Sequence, residues 1–264
     1  MKIKTVILCG GQGTRIRDVA DDIPKPMIRI GEMPVLWHIM KTYAHSGFKD
    51  FVLCLGYKSW TIKNFFLNYR LLSADLDICL SDPSSVHFHN DAELDWKITL
   101  AETGEKAGTG ARLKRIERYI HDLDLVCVTY GDGVADLNIL QLIEFHCSHG
   151  KLATVTGVRP AGRFGVISTS AEDGVNTVES FEEKPQAKQG WISGGYFVFS
   201  PKVWRYFSDA EELLLERGPL QQLARDGQLV MYEHQDFWYP MDTYRDWKIL
   251  NDLWDSGKAP WKRP

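Results

Sequence analysis

Three glycines and an arginine follow an apolar run near the start of the chain, in Val6-Ile7-Leu8-Cys9-Gly10-Gly11-Gln12-Gly13-Thr14-Arg15. Glycine reaches backbone conformations barred to other residues and carries no side chain to hold a ligand off, so N–H groups here can close on phosphate oxygens. Arg15 adds a forked, permanently charged donor that matches a phosphate edge. Neither familiar phosphate loop is present: Ile16 stands where GxGxxG needs its last glycine, and the loop has no Gly-Lys step for a P-loop. Farther on, Lys25 lies between Pro24 and Pro26. Each proline locks its own φ near about −65° and pushes its predecessor toward extended geometry, so the lysine is held on a stiff strut beside the glycine loop. Two aspartates complete the set. Asp132 follows an apolar run at 125–130, in Tyr130-Gly131-Asp132-Gly133, where small neighbours leave room for a ligand at the carboxyl end of a sheet. Asp242 stands in the aromatic-rich turn Trp238-Tyr239-Pro240-Met241-Asp242-Thr243. Taken alone, Asp132 also fits a turn residue and Asp242 the cap of a following helix.

The elements that must position these residues are legible from periodicity. Apolar runs at 6–9, 51–55 and 125–130 read as buried strands, and helical spacing at 35–46, 60–69 and 138–149 separates them. The first of these helices has Val35, Ile39 and Tyr43 on one face, Pro34 at its start and Gly47 just past its end. Strands buried on both faces and alternating with helices predict a parallel sheet covered on both sides. After Gly150 the pattern changes. Runs at 153–158, 164–169, 175–181 and 192–199 read as strands, with helices only at 201–207, 219–226 and 244–254. The expected fold is α/β and Rossmann-like: a mixed, mostly parallel sheet with helices on both faces and a less regular C-terminal portion. No repeat or linker divides the chain, which predicts one domain over 1–264 with a change of character near 150.

Composition narrows the function. A chain that is 44% hydrophobic and 25% charged has an ordinary globular make-up, and it contains no apolar run near the roughly 18 residues of a membrane span. No export signal is recognisable, and a cytoplasmic protein is expected. The net charge of −4 offers no footprint for nucleic acid or an anionic membrane surface. Cys9, Cys54, Cys79, Cys127 and Cys147 show no CxxC spacing and are read as buried thiols. His87 with His89, and His146 with His149, lack the further ligands a zinc site needs and are read as structural or solvated. The nine tryptophans are read as core and interface residues.

The pattern Gly10-Gly11-Gln12-Gly13-Thr14-Arg15 followed by Pro24-Lys25-Pro26-Met27 resembles that of the sugar-phosphate nucleotidylyltransferases. Val35-Leu36-Trp37-His38, Thr129-Tyr130-Gly131-Asp132, Gly162-Arg163-Phe164-Gly165, Pro240-Met241-Asp242-Thr243 and the tail Gly257-Lys258-Ala259-Pro260-Trp261-Lys262 resemble the cytidylyl branch of that family. The resemblance implies CTP and glucose 1-phosphate as substrates, CDP-glucose and pyrophosphate as products, and a homo-oligomer. It implies a nucleotide-binding half at 1–150 and a sugar-binding and C-terminal half at 151–264. It also assigns roles. Leu8, Gly10, Gly11, Gln12, Gly13, Thr14, Arg15, Lys25, Thr109, Arg112 and Gly131 would bind the nucleotide, with Arg15 and Lys25 catalytic. Tyr130, Glu183, Lys184, Ser193 and Gly194 would bind the sugar phosphate. Asp132 and Asp242 would hold one Mg²⁺. Ser193 stands where family members carry asparagine, and Gly108 and Ala111 also depart from the pattern. The alternatives are the same chemistry with UTP or dTTP or another acceptor, and a catalytically silent sugar-nucleotide-binding protein. A nicotinamide dehydrogenase would need the missing glycine.

Overall fold

Strand β1 (Ile3–Leu8) opens the chain and is buried over Thr5, Val6, Ile7 and Leu8, as its run of β-favouring apolar residues requires. The computed structural model describes residues 1–11, 23–82, 85–89, 95–159, 166–172, 175–182 and 190–263. A hairpin of β2 (Arg29–Ile30) and β3 (Met33–Pro34) leads into α1 (Val35–His45). There follow β4 (Asp50–Leu55), α2 (Ser59–Leu67), α3 (Tyr69–Ser73), β5 (Leu76–Ile78), β6 (Val86–Phe88), β7 (Lys97–Glu102) and α4 (Thr109–Arg115). The middle of the chain forms β8 (Leu125–Tyr130), β9 (Gly133–Ala135), α5 (Ile139–His149), β10 (Ala153–Val158), β11 (Val166–Glu172), β12 (Val175–Glu182) and β13 (Ile192–Phe199). It ends in α6 (Pro219–Arg225), β14 (Leu229–His234), β15 (Trp238–Pro240) and α7 (Tyr244–Asp255).

One seven-stranded sheet organises these elements in the order β14-β10-β13-β8-β1-β4-β7. β1 runs parallel to β4 and β8, β4 parallel to β7, and β10 parallel to β14. β13 alone reverses, antiparallel to both β8 and β10, which makes the sheet mixed as expected. Alternation along each strand divides the core between the two faces. Ile7 and Cys127 pack with Ile39 and Tyr43 of α1, Leu142 of α5 and Leu250 of α7. Val6, Val126 and Val128 pack on the opposite face with Leu113 of α4, Trp204 and Leu223 of α6.

The helix ends follow their local chemistry. Gly47 and Gly150 take φ of +88° and +67° just past α1 and α5, a conformation that side chains resist. Asn138 caps α5 by accepting from Gln141 N. Two expectations are corrected. Cys79 and Cys147 are exposed, since β5 belongs to a separate hairpin and Cys147 lies on the outer face of α5; Cys9, Cys54 and Cys127 are buried. The run from Pro201 forms a 3₁₀ turn, Pro201–Tyr206, in place of an α-helix. His146 bonds Thr154 Oγ1 at 2.8 Å and Ser200 Oγ at 2.9 Å, pinning α5 to the sheet as a structural residue. Among the described residues, no helix is long and apolar enough to cross a membrane.

Candidate active site

From β1 the chain builds β4 and β7 on one side, then returns to lay β8 on the other, so the sheet's switch point lies between β1 and β8. In open α/β sheets ligands bind outside the carboxyl ends of the strands at such a point, because the loops there diverge and leave a crevice. Gly131 N donates to Leu8 O at 3.1 Å and ties the two strand ends together. A cavity of about 500 Å³ opens over them, lined by Leu8, Gly10, Gly11, Lys25, Pro26, Tyr130, Gly131 and Asp132. The loop after β7 and the start of α4 close its other side with Glu105, Lys106, Ala107, Gly108, Thr109 and Arg112. A smaller adjoining pocket shares Tyr130 and Asp132 and adds Ser193, Gly194, Gly195 and Trp238.

Lys25 opens a 3₁₀ turn, Lys25–Met27, capped by Pro24 at φ −68°. Its Nζ donates to Asp132 Oδ2 at 2.6 Å and to Asp242 Oδ1 at 2.5 Å, joining residues 107 and 217 positions away. Burial works against this ammonium, but the two carboxylates outweigh it and raise its pKa above the ordinary lysine value. The aspartates are brought together by backbone pairing. Gly133 of β9 faces Pro240 of β15, and Met241 N donates to Asp132 O at 2.8 Å. The helix-cap reading of Asp242 is answered by its neighbour: Thr243 caps α7 in a reciprocal capping box with Asp246, while the Asp242 carboxylate turns to Lys25. Two oxygen ligands reaching one cation position suit a hard divalent ion that completes its shell with water and phosphate oxygens. Among the described residues no group of three or more His, Cys, Asp or Glu side chains gathers to hold a metal.

Arg112, expected to meet the base or ribose, lines the cavity but aims its guanidinium at protein. Its terminal nitrogens donate to the carbonyls of Leu55 at 2.9 Å, Gly104 at 2.7 Å, Gly10 at 3.1 Å and Glu105 at 3.2 Å, and to Thr103 Oγ1 at 2.9 Å. It braces the loops after β1, β4 and β7 into one floor. A Cβ on Gly10 would stand 2.1 Å from Arg112 Cζ, so the brace by itself favours glycine here. Lys114 pairs with Glu117 at 2.6 Å, and Arg115 donates to Thr103 O at 2.6 Å.

Glu216, which sequence reasoning missed, is the other tie. Its carboxylate accepts from Tyr130 OH and, at 2.9 Å, from Thr109 Oγ1, while Leu215 N donates to Thr109 Oγ1 at 2.8 Å. Burial pushes the Tyr130 phenol up, and the Glu216 charge adds to the shift. Nothing in the local run Glu211-Glu212-Leu213-Leu214-Leu215-Glu216 distinguishes Glu216 from a surface acid. In the adjoining pocket Gly195 N donates to Ser193 Oγ at 3.3 Å, and Trp238 Nε1 donates to Gly194 O at 2.8 Å. Gly195 takes φ +78°, and a Cβ there would lie 2.4 Å from Tyr130 Cδ2, so only glycine fits.

The structure thus gathers Leu8, Gly10, Gly11, Lys25, Thr109, Arg112, Tyr130, Gly131, Asp132 and Asp242 around one crevice, with Ser193 and Gly194 beside it. Gln12, Gly13, Thr14, Arg15, Glu183 and Lys184 lie outside the described residues.

The family model for nucleotidyl transferases matches residues 4–243. The chain is 45% identical over 260 residues to glucose-1-phosphate cytidylyltransferase of Salmonella typhi, covering 98% of this chain and 99% of that one. The enzyme of the same name from Salmonella typhimurium gives the same identity and coverage. The crystal structure of HddC from Yersinia pseudotuberculosis shares the fold at a TM-score of 0.65 and 22% identity, covering 96% of this chain and 100% of that one. A cavity at the switch point, two converging aspartates, a lysine between them and a family match over most of its length lead to one assignment: the chain belongs to the nucleotidyl transferase family.

Proposed function

We propose that this protein transfers the cytidylyl group of CTP to glucose 1-phosphate, forming CDP-glucose and releasing pyrophosphate. The observation that carries the choice of substrates is the 45% identity, over nearly the whole of both chains, to enzymes named for that reaction. The site chemistry is compatible with it. A phosphate oxygen of the sugar phosphate attacks the α-phosphorus of CTP. The new P–O bond forms as the bond to the α,β-bridging oxygen breaks, and that oxygen keeps the electron pair as pyrophosphate leaves. A phosphate monoester is already ionised near neutral pH, so cations and N–H donors matter more here than a general base, and no covalent enzyme intermediate is needed.

In this reading Gly10 and Gly11, with Gln12, Gly13, Thr14 and Arg15, take the β and γ phosphates, and Lys25 meets the charge developing at the α-phosphate. Asp132 and Asp242 would hold Mg²⁺, which neutralises and aligns phosphate oxygens when bound. Thr109 lies on the nucleoside side. Tyr130, Glu183, Lys184, Ser193 and Gly194 take the sugar phosphate. A homo-oligomer is supported by the exposed apolar residues Leu67, Leu71, Leu72, Ile78 and Leu80 on α2, α3 and the segment through β5.

The test is a pyrophosphate-release screen of CTP, UTP, dTTP and GTP against glucose 1-phosphate and other sugar 1-phosphates, at varied Mg²⁺. CTP with glucose 1-phosphate should be the fastest pair, and Asp132→Asn and Asp242→Asn should each weaken the Mg²⁺ dependence. Faster release with another nucleotide would reassign the base, and absence of release with every pair would leave a binding protein.

A further inference from the structure

The seat between Asp132 and Asp242 is filled by the chain's own cation. Lys25 Nζ stands 2.6 Å from one carboxylate and 2.5 Å from the other, with its side chain only 13% exposed. A divalent ion held by the same oxygens at about 2.0–2.1 Å would sit in nearly the same place. Two positive centres that close, in a partly desolvated crevice, repel strongly. Charge balance gives the same result: two carboxylates and one ammonium leave a net charge of about −1, whereas two carboxylates alone match a divalent ion. Lys25 can leave without disturbing the fold around it. Met27 N donates to Pro24 O at 2.8 Å and Ile28 N to Lys25 O at 3.1 Å, so the backbone is fixed by the turn and its flanking prolines. The four-carbon stem can still swing its ammonium within the cavity that Lys25 lines.

Resting on the reading that these aspartates hold the metal, we propose that Lys25 is the resident counter-cation of the seat and is exchanged for the divalent ion when nucleotide arrives. One event then fills the metal site and frees the ammonium for the phosphates. The seat is thereby guarded against bare metal, because a free divalent ion must expel a paired ammonium with nothing to receive it. A metal–nucleotide complex brings the receiving phosphates along.

The exchange is tested without turnover, by calorimetric titration of the full chain with Mn²⁺ in the absence of nucleotide. Lys25→Met should bind Mn²⁺ about tenfold or more tighter than the parent, the direction and scale set by removing a unit positive charge beside the ion. Lys25→Gln, which keeps a hydrogen-bond donor without the charge, should show the same gain, and Lys25→Arg should stay as weak as the parent. Thermal melts of each variant confirm folding. Unchanged or weaker Mn²⁺ binding in both folded neutral variants would overturn the exchange. Adding Asp132→Asn or Asp242→Asn to Lys25→Met should abolish the gain. If neither addition alters Mn²⁺ affinity, the metal is elsewhere, and the reading of the seat fails with the proposal.

Discussion

Lys25, Asp132 and Asp242 show how a charged group is kept in a half-buried place: each would be costly to desolvate alone, and together they satisfy one another. Ser193 raises a different question of side-chain reach. It presents one hydroxyl, engaged by Gly195 N, where an asparagine amide would add two donors. Ser193→Asn should keep activity with glucose 1-phosphate and leave kcat/KM unchanged or higher. A marked fall in steady-state rate measurements would mean that another acceptor fits the pocket. His146 carries the clearest pH signal. Burial, then the neighbouring His149, lower its pKa from 6.5 to about 4. Because the folded value lies below the unfolded one for a base, its neutral form stabilises the fold. That contribution is complete above pH 6.5 and is lost as pH falls toward 4, on the order of 2 to 3 kcal/mol in all. Urea unfolding of the parent and of His146→Gln across this range should converge toward the acid end. Parallel curves would refute the assignment.

The segment between the 3₁₀ turn at Pro201–Tyr206 and α6 does two jobs for α4. Glu211 O accepts from Gly108 N at 2.8 Å, and Leu213 O accepts from Gly110 N at 2.9 Å and Ala111 N at 3.1 Å, so backbone carbonyls cap the helix start. A Cβ on Gly108 would stand 2.3 Å from Leu213 O, which explains a glycine at that departure from the family pattern. The same segment then delivers Glu216 to Thr109 and Tyr130, latching the start of α4 to the end of β8 across the cavity. Glu216→Ala should raise KM for both substrates about tenfold with a smaller change in kcat, since a hydrogen bond to a charged group contributes about 1.5–3 kcal/mol. Glu216→Gln should fall between. Parental KM values in Glu216→Ala would reduce the latch to a surface contact. The melting temperature should hardly move, because the segment keeps its backbone bonds to α4.

At the scale of the whole molecule, the site exists only when three distant parts of the chain meet: the turn at Lys25, the end of β8 and the approach to α7. The C-terminal tail secures the last of these. Trp261 is 1% exposed and stacks on Phe237 at 5.2 Å, just before β15, while Trp254 of α7 sits edge-on to His38 at 4.6 Å. Trp261→Ala should destabilise the fold by about 3–5 kcal/mol through the cavity it leaves, measured by denaturant unfolding. It should also loosen Asp242, because β15 carries that residue to Asp132. A loss below about 1 kcal/mol would place the tail outside the cooperative unit.

Local chemistry alone determined much of this protein. The strands at 125–130 and 153–158 and the helix from Val35 to its glycine stop follow from periodicity and from what glycine and proline permit. The family resemblance placed Lys25, Asp132 and Asp242 in one site, and the structure brings them together. Tertiary structure decided the rest. The reversed strand β13 between β8 and β10, the exposure of Cys79 in an apolar-looking run, the inward brace of Arg112 and the latch of Glu216 leave no local trace. The brace and the latch depend on which segments become neighbours across a hundred or so positions, as the separation of 102 between Arg112 and Gly10 shows. Sequence periodicity reports which side of an element is buried; strand order and chain return report what that side is buried against.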